Sequence, residues 1–187
     1  MAGSRIVLGI DIGSTRITTV GGEQHASRGL ILRGLRSVPT QAITRGAVRD
    51  LNQAAQDIDD SYSGAMYSSG LSHNEAFVGI TGRDLLSLNR KAAVHINNPD
   101  GIVSREDVEV VIDKSLPKQL LPGQQIVHSM VREFTLDGIR ISRSPAGMIG
   151  RQLGVETHVV LGSESQIANI NRALERVELK VRSYVLN

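Results

Sequence analysis

The residues with the best-defined chemical potential are Asp11-Ile12-Gly13-Ser14-Thr15. Hydrophobic runs flank them, Arg5 to Ile12 before and Arg16 to Gly21 after, which predicts a tight turn between two strands. Gly13 would let the backbone come close to a ligand, successive amides can point at phosphate oxygens, and the Ser14 and Thr15 hydroxyls add donors. Asp11, at a strand end, could hold a hydrated magnesium ion, a hard cation that takes oxygen ligands and keeps several waters. Arg16 follows the turn directly and could reach a phosphate, although an arginine at a strand edge is more often simply solvated. An ordinary hairpin, in which Asp11 and Ser14 only satisfy backbone donors, fits the same residues. Neither a Walker-type lysine loop nor a GxGxxG fingerprint occurs, so a bound nucleotide would be held by this hairpin.

Other chemistries find little support. The five histidines, His25, His73, His95, His128 and His158, lack metal-ligand spacing and read as structural. Without cysteine there is neither a disulfide framework nor a thiolate metal site. No nucleophile elbow accompanies the serines, and no catalytic residue is assigned. With 21 Lys and Arg against 19 Asp and Glu the net charge is only +2, and aromatics make up 3% of the chain. A nucleic-acid binder would normally show a basic stripe, with interleaved aromatics for single strands, so nucleic acid is not expected as a partner. The first apolar run, Ile6 to Ile12, is far shorter than the roughly 20 residues of a spanning helix. No signal peptide is read and Ala2 does not match the myristoylation pattern, so no lipid anchor is expected, while the lack of cysteine fits a cytoplasmic protein.

Hydrophobic periodicity supplies the elements that would position the turn. Arg5 to Ile12, Arg16 to Gly21 and Leu30 to Arg36 read as an antiparallel meander, the first strand apolar on both faces and therefore central and buried. Asp50, with Gln53 three residues on, opens a helix carrying Leu51, Ala54, Ala55, Ile58, Tyr62, Ala65 and Met66, and Gly70 stops it. A strand from Glu75 to Thr81 follows. From Arg83 the pieces shorten: Asp84 to Asn89, Lys91 to Ile96, a helix capped by Ser104 and Asp107 and ended by Pro117, then a strand from Gln125 to Arg132. A loop from Gly138 to Gly150 leads to a strand from Val155 to Gly162. Ser163 and Gln166 form a third capping box before a helix with Ile167, Ile170, Leu174 and Val177 on one face, and a strand from Leu179 to Leu186 closes the chain. The strand, strand, strand, helix, strand order predicts a ribonuclease-H-like α/β fold with an inserted small α+β subdomain.

Several stretches together resemble the FtsA family, the actin-like ATP-binding proteins of bacterial cell division. Ile10 to Thr15 is similar to the family's first phosphate loop, Gly46-Ala47-Val48-Arg49-Asp50 to the turn before its first long helix, and Phe77 to Gly82 to the strand that closes the first lobe segment. The run Ser144-Pro145-Ala146-Gly147-Met148-Ile149-Gly150-Arg151-Gln152-Leu153, followed by Glu156-Thr157-His158, resembles the signature of the inserted subdomain 1C and is the most discriminating.

The resemblance implies an actin-like half-domain, with residues 1–82 and 163–187 as subdomain 1A and 83–162 as subdomain 1C. It also implies a division scaffold that binds ATP and magnesium when complete, polymerises, tethers the FtsZ ring to the inner membrane and recruits later division proteins. Gly13, Ser14, Thr15 and Arg16 would contact phosphate, and Asp11 would hold the metal through water. The second phosphate loop, the adenosine pocket, the FtsZ-docking subdomain and the C-terminal membrane helix are not in this sequence. Any enzyme activity would be at most a weak ATPase of the complete protein, with little expected from this chain alone. Two alternatives are a pilus-assembly component resembling PilM and a ribonuclease-H-like nuclease using Asp11 as a metal ligand, although the latter needs several converging carboxylates.

Overall fold

A computed structural model describes residues 5–82 and 84–186, and the described residues run through eleven strands and three helices. They are β1 (Arg5–Ile12), β2 (Arg16–His25), β3 (Gly29–Pro39), β4 (Ile43–Thr44), β5 (Ala47–Val48), α1 (Leu51–Ser69), β6 (Glu75–Ile80) and β7 (Leu86–His95). There follow α2 (Arg105–Ser115), β8 (Gln124–Leu136), β9 (Ile139–Ile141), β10 (Gln152–Ser163), α3 (Glu164–Glu175) and β11 (Lys180–Leu186). Two compact units form, one from residues 1–85 with 163–187 and the other from 86–162.

The first unit is a five-stranded sheet in the order β11-β6-β1-β2-β3. β1, β2 and β3 pair as an antiparallel meander, while β6 runs parallel to β1 and β11 parallel to β6. This is the mixed sheet of an actin-like half-domain. Leu8, Ile10 and Ile12 alternate onto one buried face of β1, and Ala54 and Ile58 of α1, which packs on β2 and β3, are buried as well. The opposite face of β1 departs from the expectation of a strand buried on both sides. Val7 and Gly9 are half-buried and Asp11 is exposed, because these residues sit on the side of the sheet away from α1.

Small residues bring α1 close to the meander. A side chain at Gly34 would stand 2.3 Å from the Ala65 carbonyl oxygen, so the helix backbone rests almost directly on β3. The buried Ser61 hydroxyl donates to Thr19 Oγ1 at 2.8 Å, which satisfies two polar groups in the same layer. The Asp50 carboxylate accepts from the amides of Asn52 and Gln53, and Gly70 ends the helix in the left-handed conformation at φ 66°. Gln53, expected to complete a capping box, turns instead to the Asp57 carboxylate at 2.8 Å.

The second unit is a four-stranded sheet, β7-β10-β8-β9, with α2 packed against β7 and a core of Val94, Val103, Val111, Leu136, Leu153 and Val155. Its helix carries a complete capping box: Ser104 Oγ accepts from the Asp107 amide, and the Asp107 carboxylate accepts from the Ser104 amide and hydroxyl.

Three expectations need correction. The pieces Asp84 to Asn89 and Lys91 to Ile96 form one strand, since pairing with β10 runs unbroken past Arg90 and Lys91, whose side chains reach water from a sheet edge. The Gly138–Gly150 loop begins with β9, formed because Asp137 and Gly138 take φ values of 49° and 82° and fold β8 back in a two-residue hairpin. No side chain caps α3: Ser163 Oγ lies 3.1 Å from Ser165 Oγ, and Gln166 donates to Asp84 at 2.7 Å.

Candidate functional site

The parallel strands β1, β6 and β11 end in step, with Ile12 and Leu186 both registered on Ile80. In open α/β sheets ligands bind outside these carboxyl ends, where the chain has just left the ladder. Gly13-Ser14-Thr15 lies at this edge and turns directly into β2.

The hairpin closes through the Gly13 amide, which donates to the Arg16 carbonyl at 3.1 Å. That amide is therefore committed within the turn and is not among the donors a phosphate would meet, which trims the sequence-based expectation. The Thr15 carbonyl accepts from the Thr40 amide at 3.0 Å, and the Ser14 hydroxyl oxygen accepts from the Gly46 amide at 3.3 Å. With its oxygen held, Ser14 keeps its own proton for another acceptor. Ser14 is half-buried, whereas Thr15 and Arg16 are exposed.

Asp11, exposed near the end of β1, is registered between Thr18 on β2 and Gly79 on β6. It borders a depression of about 330 Å³ shared with Gly9, Thr18, Val20, Phe77 and Gly79. Glycines on two adjacent strands keep that surface low beside the carboxylate. An accessible carboxylate beside a turn that presents hydroxyls suits a hydrated magnesium–phosphate pair, so the residues present fit that group. Asp11, Ser14, Thr15 and Arg16 are thus brought to one sheet edge.

Among the described residues no group of three or more His, Asp or Glu side chains is placed to hold a metal ion. The nuclease alternative needs several converging carboxylates, and among the described residues Asp11 belongs to no such group of three. His158 Nδ1 instead lies 2.8 Å from Asn89 Oδ1, a cross-strand pairing.

Sequence reasoning drew Gly46 only into a resemblance, yet it touches the site. It sits with Arg45 in the turn between β4 and β5 at φ 82° and 52°, and a Cβ on it would stand 2.0 Å from the Thr81 carbonyl oxygen. An Arg-Gly pair between two short apolar runs was the available signal.

Comparison with known proteins bears on what this edge belongs to. Residues 82–161 match the family described as the SHS2 domain inserted in FTSA. Over 182 residues the chain is 28% identical to the cell division protein FtsA of Pseudomonas aeruginosa, covering 97% of this chain and 43% of that protein. It is likewise 28% identical over 181 residues to FtsA of Borreliella burgdorferi (97% and 44%) and 27% identical over 186 residues to that of Enterococcus hirae (100% and 42%). The chain thus spans less than half the length of these relatives. Among solved structures, a chain of the PilM-PilN type IV pilus biogenesis complex superposes with a TM-score of 0.57 at 14% identity, covering 96% of this chain and 47% of that one. At that identity the likeness is one of fold. Residues 82–161 thus carry the likeness to the SHS2 domain inserted in FtsA, and similarity to the cell division protein FtsA runs along nearly the whole chain, as expected of an N-terminal portion of such a protein.

Proposed function

We propose that this chain is the nucleotide-phosphate half of a cell-division scaffold. In the complete protein, ATP binds with its phosphates against Ser14, Thr15 and Arg16 and with magnesium held through water by Asp11. The protein self-associates, tethers the FtsZ ring to the cytoplasmic face of the inner membrane and recruits later division proteins. The observation that carries this reading is the SHS2 match inside a chain whose FtsA likeness spans both units. Geometry supports the ligand: a carboxylate, two hydroxyls and a guanidinium share the carboxyl edge of a parallel strand set. Among the described residues no helix is long and apolar enough to cross a bilayer.

The test uses the product of the full reading frame. Calorimetric titration with MgATP should give saturable binding that Asp11→Ala weakens, and FtsZ polymers should carry the protein into the pellet on centrifugation. Undetectable nucleotide binding would remove the ligand assignment, and absence from the FtsZ pellet would remove the scaffold assignment.

A further inference from the structure

The turn at Arg45-Gly46 lies beside the proposed ligand edge. Two consecutive residues occupy the left-handed region, at φ 52° and 82°, in a hairpin whose strands β4 and β5 are two residues each. Positive φ at both central positions is the usual geometry of a two-residue hairpin loop; Gly46 adopts it freely, whereas Arg45 holds a backbone conformation that L residues rarely adopt. Here the surroundings are specific. On one side the Gly46 amide donates to Ser14 Oγ at 3.3 Å. On the other, the Gly46 Cα lies flush against the end of β6, where a Cβ would meet the Thr81 carbonyl oxygen at 2.0 Å and Gly82 Cα at 2.8 Å.

Just beyond, Gln166 Nε2 donates to the Asp84 carboxylate at 2.7 Å, joining the stretch where the chain leaves the first unit to the start of α3, where it returns. The hairpin therefore touches the ligand turn with one group and the departing strand with another.

We propose that the Arg45-Gly46 hairpin is a coupling strut that links phosphate occupancy at Ser14 to the connector leading into the inserted unit. This rests on the reading that the Gly13–Arg16 turn holds phosphate. When the Ser14 proton is donated to a phosphate oxygen, its oxygen becomes a better acceptor for the Gly46 amide, because donating and accepting at one hydroxyl reinforce each other. A firmer Ser14–Gly46 bond fixes the hairpin, and through the close backbone contact it fixes Thr81, Gly82 and the Asp84–Gln166 pair. Gly46 is a positioning residue in this scheme: no ligand need touch it. By reciprocity, anything that holds the connector favours phosphate at the turn by the same factor.

Amide hydrogen exchange, resolved by NMR on the product of the full reading frame with and without MgATP, tests this. Exchange should slow about fivefold or more at Gly46, Gly82 and Asp84 as well as at the turn. Ser14→Ala should abolish the slowing at Gly46, Gly82 and Asp84 while some remains at Thr15 and Arg16, and Ser14→Thr, which keeps the hydroxyl, should restore it. If MgATP slows exchange at neither turn nor connector, the phosphate reading falls and the strut with it. If the turn responds but Gly82 and Asp84 do not, or if Ser14→Ala leaves their response intact, the strut alone is overturned.

Discussion

Replacing Gly46 by alanine sets two physical costs against each other, and Gly70→Ala separates them. Both glycines hold positive φ, 82° and 66°, so alanine at either site adopts a left-handed backbone at a cost of about 1–2 kcal/mol. At Gly70 the added methyl meets nothing within 4 Å, and that cost is the whole effect. At Gly46 the methyl would stand 2.0 Å from the Thr81 carbonyl oxygen, roughly 1 Å inside the closest approach real side chains show, and the obstacle is backbone at the end of a central strand. Overpacking of this kind adds about 1–3 kcal/mol, so Gly46→Ala should cost about 2–5 kcal/mol in all. Domains of this size are stable by about 5–15 kcal/mol, which makes the loss measurable in urea. The midpoint should be followed through NMR signals of the first unit, because two units can unfold separately. Equal losses for the two variants would refute the packing of the Arg45-Gly46 turn against β6.

Three further outcomes are expected. In Asp107, hydrogen bonds from the Ser104 hydroxyl and then its amide hold the carboxyl below its ordinary 3.8, so the stabilisation is present above that pH and is lost as pH falls through the lower, folded value. Ser104→Ala should cost about 1 kcal/mol at neutral pH and progressively less in acid, as read from urea midpoints of the second unit. Burial, with the Glu175 charge second, pushes the Tyr184 phenol up to about 12 from 10.0; the first unit should therefore lose stability as pH rises between those values, and Tyr184→Phe should remove that alkaline loss in thermal melts. The 187-residue chain alone should bind MgATP more weakly than micromolar and show no turnover above background, since one side of a cleft leaves the ligand largely in water; calorimetry and phosphate release check this, and tight binding would overturn it.

What could be read from the sequence was local. The Asp50 and Ser104 caps, the Gly70 stop and the alternation of Leu8, Ile10 and Ile12 are written in neighbouring residues, and the structure carries each of them. The Gly13–Thr15 turn was also legible, as a glycine and two hydroxyls between apolar runs. Features decided by distant partners were less so. Arg90 and Lys91 look like a break until β10 pairs across them, and Gln166 looks like a cap until Asp84 offers a carboxylate from far along the chain. The openness of the Asp11 side of β1 depends on which face α1 covers, and composition alone does not settle that. The role of Gly46 depends on Thr81, a contact that exists only once β6 lies parallel to β1.

The central claim, that the chain is part of an FtsA-type division scaffold, is tested most directly by depleting the gene in its own host while imaging FtsZ and cell length. The account predicts long filaments in which FtsZ still assembles but septa do not complete, with division restored by the wild-type gene and not by an Asp11→Ala copy expressed to the same level. Depleted cells that divide at normal length would contradict it.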